Sequence, residues 1–300
     1  AYHGSRPTFG RDYIIPTPFD PRLISHVPPF VAQAAMDTGV ARKPIPDMDA
    51  YRAQLKRRSD PAAAFLEGVQ ARCKEVQRRI VFAEGEEPSV VRAAYSFKNQ
   101  GLGHPILIGR EAQVEQTMEM MGVPAGSLEI INARLSDNNP VYTDMLYARL
   151  QREGYLKRDV QRLVNNDRNV FGSCMLKNGD ADGMVTGVTR NYDVALKDAQ
   201  MVLDPIPGQA VIGMSMVINR GKTVFIADTS VTELPGGPEL ANIAIEAARA
   251  VQSVGFVPRV AFLSYSTFGN PMGERGEKVR EAVAILDKMD DIEFEYEGDM

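Results

Sequence analysis

The sequence predicts an α/β fold built on a parallel β-sheet with helices on both faces. Short apolar runs, such as residues 80–83 and 105–108, alternate with longer stretches of helical periodicity. The runs are apolar at nearly every position, as in strands of a parallel sheet that is covered by helices on each side. Strands and helices in this alternation are typical of βαβ units.

The start of the chain differs from the rest. Six prolines lie within residues 1–30, a density that predicts extended, irregular chain. A short helix is predicted over 30–36, followed by a second stretch with apolar residues at helical spacing. Asp60-Pro61 is a helix start signal, so a third helix is predicted over 62–75.

The remaining chain predicts strands and helices in turn. Apolar runs bounded by glycine, proline or polar clusters give the strands, and 3.6-residue periodicity gives the helices. The predicted strands cover 80–83, 105–108, 128–131, 183–187, 223–227 and 259–263. The predicted helices cover 89–99, 111–121, 141–153, 157–165, 238–253 and a stretch that starts near 276.

Composition excludes several classes of protein. The chain has 300 residues, of which 44% are apolar, enough for one or two hydrophobic cores. A net charge of −5 leaves no basic excess for a nucleic-acid partner. Two cysteines and three histidines, all scattered, form no disulfide framework or zinc spacing. No apolar run approaches the roughly 20 residues that span a bilayer, and no signal-peptide pattern opens the chain, so we expect a cytoplasmic protein without a membrane partner.

The carboxyl ends of the predicted strands carry residues suited to an anionic ligand. In a parallel sheet the ligand site lies outside these ends, where helix N-termini favour phosphate or carboxylate. After the strand at 259–263, the hydroxyls of Ser264, Ser266 and Thr267 can donate to phosphoryl oxygens. The alternative is a loop whose hydroxyls cap the next helix, and the sequence favours neither interpretation over the other.

The stretch 180–190 holds two aspartates and a loop that ends in an arginine. Asp180 and Asp182 precede a strand, so turn chemistry with the flanking glycines is favoured over a metal site or an acid–base pair. Residues 186–190 follow the same strand, and Arg190 there suits a phosphate or pyrophosphate. A salt bridge is the alternative for a lone arginine.

A cluster of acids, Glu84-Gly85-Glu86-Glu87-Pro88, follows the strand at 80–83. Such a cluster can raise the pKa of a carboxylate that acts as a base. We favour the other interpretation, in which the acids stabilise the first turn of the following helix.

Common cofactor and nucleophile motifs are missing. Gly101-Leu102-Gly103 lacks the third glycine of a dinucleotide fingerprint, and there is no Walker loop. There is no G-x-S-x-G elbow, and no histidine stands at a plausible triad position for Ser264. The chain is therefore not expected to bind NAD(P) through a Rossmann fingerprint or to hydrolyse ATP.

Residues from about 75 to 300 resemble the phosphate acetyltransferases. The resemblance implies doubly wound parallel sheets in two αβα lobes with a cleft between them, an isocitrate/isopropylmalate dehydrogenase-like architecture. From this resemblance we expect one lobe at residues 61–205 and a second, truncated lobe at residues 206–300. The segments that carry it are 170–177, 179–187 (Gly-Asp-Ala-Asp-Gly-Met-Val-Thr-Gly), 227–231 (Ala-Asp-Thr-Ser-Val) and 263–267 (Leu-Ser-Tyr-Ser-Thr).

A second resemblance concerns residues 12–23, Asp-Tyr-Ile-Ile-Pro-Thr-Pro-Phe-Asp-Pro-Arg-Leu. This segment resembles the closing stretch of the catalytic domain of bacterial NADP-dependent malic enzymes, and residues 183–192 match the hybrid form of those enzymes. In the hybrid malic enzymes an acetyltransferase-like domain follows the malate-oxidising domain. Residues 1–60 are then expected to be a remnant of that domain and a linker. We expect a piece of a longer protein, because the chain starts at Ala1 without Met and stops just after a strand-like run.

The resemblance leaves neither active site complete. The acetyltransferases place an arginine-proline pair in the helix after 186–190, where this chain has Lys197-Asp198. Their catalytic serine, arginine and aspartate lie further along than Met300. The malate and NADP residues, with the divalent metal, belong to the preceding domain. No catalytic residue and no metal ligand is therefore predicted in this chain.

For the hybrid enzymes the resemblance implies a regulatory domain that senses acetyl-CoA, inhibits the oxidative decarboxylation of malate to pyruvate and CO2, and supports homo-oligomers. Acetyl-CoA is then the effector, and the malic enzyme catalytic domain is a partner in the same polypeptide. The alternatives are an active phosphate acetyltransferase that forms acetyl phosphate and CoA, and an oligomerisation module. The candidate ligand-binding residues are Thr186, Arg190, Lys197, Thr229, Ser264, Ser266, Thr267 and Arg152.

Overall fold

A computed structural model describes residues 23–59, 61–219 and 222–298. Helices and strands alternate along most of this length, which confirms the predicted α/β class. The described chain divides into two compact units, one made of the residues before Ala71 with those of 216–224, the other of the residues from Ala71 to Ser215 with those from Phe225 onward. The lobe boundary at 205 stays a prediction.

The elements are named in chain order. The helices are α1 (Leu23–Asp37), α2 (Met48–Ser59), α3 (Pro61–Val76), α4 (Pro88–Asn99), α5 (Glu111–Met120), α6 (Asn139–Leu150), α7 (Lys157–Asn166), α8 (Arg168–Asn178), α9 (Tyr192–Val202), α10 (Gly237–Ser253) and α11 (Glu274–Leu286), with a 3-10 helix at Gln151–Glu153. The strands are β1 (Arg78–Phe82), β2 (Gly103–Ile108), β3 (Glu129–Ile131), β4 (Gly183–Val185), β5 (Met214–Asn219), β6 (Lys222–Ala227), β7 (Arg259–Phe262) and β8 (Glu295–Gly298).

Helix α1 corrects the prediction of extended chain at the proline-rich start. It begins at Leu23 and contains Pro28 and Pro29, whereas the sequence predicted a helix only from residue 30. A proline inside a helix removes the N–H donor for the carbonyl four residues earlier. Here those carbonyls lie in the first turn, so the loss is confined to the helix start. Residues 1–22, with the other prolines and most of the malic-enzyme-like segment, lie outside the described residues.

The central sheet has four parallel strands in the order β3-β2-β1-β4. On β1, Val81 lies opposite Ile106 of β2 on one side and Met184 of β4 on the other. Because all four strands run in the same direction, their carboxyl ends meet at one edge, where open α/β sheets bind ligands.

Helices cover both faces of this sheet, as the apolar strands predicted. Val81 and Ile108 belong to a buried core that also contains residues of α6, α7 and α8. Their neighbours Phe82 and Leu107 belong to a second core with residues of α4 and α5. Successive side chains of a strand point to opposite faces, so the strands must be apolar at every position. The doubly wound arrangement is confirmed for this sheet.

Helix α8 is an element that the periodicity did not predict. Its residues from Asn169 to Met175 are all buried, so it has no exposed polar face and no amphipathic pattern. At Gly172 an added Cβ would come within 2.6 Å of Met184 Sδ. The helix therefore packs directly on the sheet, and a larger residue at this contact would require Met184 to move.

The remaining strands form two smaller sheets. β7 and β8 are parallel, and Phe262 of β7 packs with Ala244 of α10 and Leu286 of α11 in a third core. β5 and β6 form a two-stranded sheet, of which the sequence predicted only β6. Among the described helices, none is both long and apolar enough to cross a membrane.

Candidate functional site

The turn after β1 holds the loop that follows β4. Glu84, at the start of this turn, is buried, and its carboxylate accepts hydrogen bonds from the backbone N–H groups of Gly187 (3.0 Å), Val188 (2.7 Å) and Thr189 (2.7 Å). The Thr189 hydroxyl donates to it as well. Burial opposes ionisation of Glu84, but these hydrogen bonds outweigh burial and lower its pKa. The backbone amides of residues 187–189 are therefore bound by the chain itself.

Two predicted ligand residues of this loop bond to the region where α8 begins. The Thr186 hydroxyl donates to Asn169 Oδ1 at 2.6 Å. The Arg190 guanidinium donates to Asp167 Oδ2 at 2.6 Å and to Asp198 Oδ2 at 2.7 Å. The bond to Asp167, followed by the charges of both carboxylates, raises the pKa of Arg190 against the opposing effect of burial. Arg190 therefore has the salt-bridge contacts that were the alternative to phosphate binding.

The aspartate pair before β4 has structural partners. Asp180 accepts hydrogen bonds from the Tyr142 hydroxyl (2.5 Å) and from Asn178 Nδ2 (2.8 Å). Asp182 accepts from the backbone N–H of Arg79 (2.8 Å) and from its Nε (3.2 Å), which joins the start of β1 to the turn before β4. Apart from the bond with Asn178, these are long-range contacts, and within the described residues no group of three potential metal ligands occurs.

The hydroxyl-rich loop after β7 is organised by its own serines. The hydroxyl oxygens of Ser264 and Ser266 lie 2.6 Å apart, and the Ser266 N–H donates to Ser264 Oγ at 3.1 Å. Ser266 is buried, whereas Thr267 is exposed and its N–H donates to the carbonyl of Asn270 at 2.8 Å. The residue that precedes α11 is Gly273, so the alternative of a hydroxyl cap on this helix is wrong.

The other predicted ligand residues lie in separate segments. Thr229 is exposed next to Asp228, whose carboxylate accepts the N–H of Gly213 at 2.8 Å. Lys197 Nζ lies 3.9 Å from Asp193 on the exposed face of α9. Arg152 is exposed in the 3-10 helix after α6. Only Thr186 with Arg190, and Ser264 with Ser266, share a hydrogen-bonded cluster.

The third member of the β1 turn, Glu86, faces a cluster of arginines that the sequence analysis missed. Its carboxylate, 10% exposed, accepts from Arg110 Nε and Nη2, both at 3.0 Å, and from Arg168 Nη2 at 2.8 Å. The Arg110 hydrogen bond, against burial and with the charge of Arg168, lowers the pKa of Glu86 to about 2. The hydrogen bonds of Glu84 and Glu86 go to other segments, and stabilisation of the first turn of α4 by their charges stays a prediction.

Part of the arginine cluster had a signal in the sequence. Arg110 lies two residues after the end of β2, and Arg134 lies three residues after the end of β3. The carboxyl ends of parallel strands meet at one edge, so these positions predict proximity. Arg168 follows α7 and joins them only through the tertiary fold.

Comparison with known proteins places this geometry in a family. Residues 64–300 match the family described as Phosphate acetyl/butaryl transferase. The chain therefore belongs to the phosphate acetyl/butaryl transferase family. Its fold agrees with that of a phosphotransacetylase from Streptococcus pyogenes, with a TM-score of 0.72 and 27% identity over 80% of this chain and 73% of that one.

Within this family the chain is similar to the acetyltransferase-like part of malic enzymes. It is 55% identical over its whole length to an NADP-dependent malic enzyme from Rhizobium meliloti, of which it covers 40%. It is also 42% identical to a probable NADP-dependent malic enzyme from Rickettsia prowazekii, of which it covers 41%. The chain thus spans about two fifths of the length of these relatives and corresponds to the phosphate-acetyltransferase-like domain of a hybrid malic enzyme.

Proposed function

We propose that this chain is a regulatory acetyl-CoA-binding domain of an NADP-dependent malic enzyme and that it does not itself transfer acetyl groups. The parent reaction is the oxidative decarboxylation of malate to pyruvate and CO2, carried out by a domain in the same polypeptide. Support comes from relatives that are named malic enzymes and from a fold shared with phosphotransacetylases. The proposal includes a cytoplasmic homo-oligomer with no nucleic-acid or membrane partner.

The contact between Arg190 and Asp198 carries the proposal that transfer chemistry is lost. Asp198 belongs to Lys197-Asp198, which stands where the resemblance leads us to expect an arginine-proline pair. Its carboxylate and that of Asp167 both bond to Arg190 and offset its charge. Acyl transfer needs uncompensated positive charge or free donors where the oxyanion develops. Here the two carboxylates offset the charge of Arg190, and Glu84 accepts the amide hydrogens of residues 187–189, so these groups cannot stabilise an oxyanion.

Other features of the same loop favour binding of an acyl-CoA. Val188 and Tyr192 are 57% and 51% exposed, which offers apolar surface to a pantetheine arm. Helix α9 begins at Tyr192 and has no side-chain cap, so its N-terminus attracts phosphate. Tyr265 and Phe268 in the hydroxyl-rich loop are exposed, and such rings can stack on an adenine.

Binding without chemistry regulates an enzyme through linkage. A ligand shifts a conformational equilibrium only if it binds one state better than the other. Acetyl-CoA is a product toward which pyruvate is converted, so a domain that binds it can reduce malate oxidation when this product is abundant. The coupling is reciprocal, and malate binding must change acetyl-CoA affinity by the same factor.

The test uses the full-length protein and three measurements. Calorimetric titration with acetyl-CoA is expected to saturate, NADPH formation from malate is expected to fall with the same concentration dependence, and added phosphate is expected to release no CoA. Phosphate-dependent release of CoA would support the active acetyltransferase instead. A flat titration with an intact oligomer would support the assembly module.

A further inference from the structure

A cleft lies at the carboxyl ends of β1, β2 and β3, on the side of the sheet away from β4. It has a volume of about 270 Å3, and its lining includes Glu86, Arg110, Arg134 and Arg168. We call this cleft the arginine pocket. Within the described residues that line it, Glu86 is the only acid, so the pocket carries three positive charges against one negative charge.

The arginine pocket has more donors than its own acceptor can use. Glu86 is ionised at neutral pH, and its carboxylate accepts hydrogen bonds from both Arg110 and Arg168. Arg134 instead donates its Nε and Nη2 to the neutral amide oxygen of Asn166, at 2.9 and 2.7 Å. A guanidinium has five N–H donors, and its planar fork matches two oxygens of a phosphate. Three guanidiniums with one carboxylate leave both donors and charge for an anion.

The backbone around the pocket adds to its positive potential. Helix α5 begins directly after Arg110, whose backbone N–H donates to Glu86 Oε1 at 2.9 Å, so this carboxylate lies at the helix N-terminus. The aligned peptide dipoles of the helix place partial positive charge at this end. Gly109 lines the pocket as well, and a Cβ there would come within 3.0 Å of Glu86 Cγ. Glycine at this position allows the carboxylate to lie against the backbone and hold the arginines in place.

The arginine pocket contrasts with the surroundings of Arg190. Arg190 has two carboxylate partners. In the pocket, by contrast, Arg110 and Arg168 share the single carboxylate of Glu86, and among the described contacts no carboxylate bonds to Arg134. Arg110 and Arg134 are exposed, and the side chain of Arg168 is 34% exposed, so a solute can reach all three. Structural ion pairs do not need this excess of charge.

We propose that the arginine pocket binds the phosphate group of a small solute, either free inorganic phosphate or a phosphomonoester, at a site separate from the Thr186–Arg190 loop. The phosphate oxygens accept hydrogen bonds from the guanidiniums of Arg134 and Arg168. The volume of the pocket accommodates a phosphate with a few attached atoms.

The test is a calorimetric titration of the full-length protein, dialysed free of phosphate and sulfate, at constant ionic strength in chloride. The two titrants are inorganic phosphate and glycerol 3-phosphate, and the tighter one identifies the source of the phosphate group. Saturable binding of either is expected, and Arg134→Gln is expected to weaken it by about tenfold or more. Arg134→Lys keeps the charge but not the planar fork, so its phosphate affinity is expected to lie between those of the wild type and Arg134→Gln.

Arg158→Gln is the matched control, because Arg158 is an exposed arginine on α7 that does not line the pocket. It is expected to leave phosphate affinity unchanged. Absence of saturable binding by both titrants, or equal weakening by Arg134→Gln and Arg158→Gln, would overturn the proposal.

A second titration separates this proposal from the regulatory function. Acetyl-CoA is titrated into protein saturated with phosphate. Binding at both sites together supports two separate sites, even if each ligand changes the affinity of the other a few-fold. Strict competition would overturn the separate pocket and leave acetyl-CoA binding intact. Phosphate binding without any acetyl-CoA binding would support the pocket and refute the regulatory proposal.

Discussion

Glu84 and Glu86 lie two residues apart in one turn and have opposite kinds of partners. Glu84 is surrounded by neutral donors, the amides and the hydroxyl of the loop after β4. Glu86 is surrounded by guanidiniums. The donors around Glu84 are used within the chain, whereas around Glu86 the positive charge exceeds the negative charge. The first arrangement is that of a structural anchor, and the second is that of a binding site.

The same distinction separates the arginines. Arg190 has two carboxylates, whereas Arg134 has an amide oxygen. The count of arginines at a sheet edge is therefore a poor guide to anion binding. The balance of charge around each arginine is the better guide, and it appears only when the partners are known.

The largest expected effect is on the anchor. Glu84→Ala leaves three loop amides without their acceptor and is expected to lower the free energy of unfolding by about 3 kcal/mol, measured by chemical denaturation. Glu87→Ala is the matched control, since Glu87 makes no side-chain capping bond to α4. Equal effects of the two substitutions would contradict the anchoring role.

The second expected effect is the pH dependence that Glu86 gives to the free energy of unfolding. A carboxyl whose pKa is lower in the folded state stabilises the fold above its unfolded value of 4.5, and this contribution is lost as the pH falls toward about 2. The contribution is at most about 3 kcal/mol. Glu86→Gln is expected to flatten the fall in unfolding free energy between these pH values. A parallel pH profile for wild type and variant would refute it.

The third prediction concerns acetyl-CoA affinity at the loop. Both carboxylates bond to Arg190 Nη1, which leaves its Nε and Nη2 donors for a phosphate, so Arg190→Ala is expected to weaken binding by about 1–3 kcal/mol. Asp198→Asn releases Arg190 from one of its two carboxylates, so it is expected to strengthen binding. The exposed Asp144 lies on α6, outside this loop, and Asp144→Asn serves as the control. If calorimetry shows no gain for Asp198→Asn, Arg190 does not meet the ligand.

The smallest expected effect is at the hydroxyl-rich loop. Ser266→Ala removes one hydroxyl and is expected to weaken acetyl-CoA binding by about 1 kcal/mol, the value of one hydrogen bond. Ser89→Ala, at the exposed start of α4, is the control for calorimetry. A loss larger than that of Arg190→Ala would reverse the proposed ranking of the two loops.

Local sequence predicted the parts of the fold that depend on local pattern. β1 and β2 were found because their apolar runs end at glycine and acidic clusters, and β4 because glycines bound it. Helix α8 was missed because a helix buried on all sides has no amphipathic period. Helix α1 was misjudged because it continues through Pro28 and Pro29, its sixth and seventh residues, where proline normally disfavours a helix.

The site was harder to predict because its decisive contacts join distant residues. Glu84 meets a loop 105 residues away at Thr189, and no local pattern encodes that pairing. The resemblance drew attention to Arg190, but its partners Asp167 and Asp198 emerged only from the packing of α8 and α9. Arg110 and Arg134 were accessible to reasoning from strand ends, whereas Arg168 was not.

Asp167 and Arg168 are consecutive residues at the start of α8, and they serve different regions of the sheet edge. Asp167 bonds to Arg190, and Arg168 bonds to Glu86. The same helix contacts the sheet at Gly172, where an added methyl group would meet Met184 of β4. Because Asp167 and Arg168 share the start of this one helix, a displacement of that start acts on both neighbourhoods at once, although they have no side chain in common.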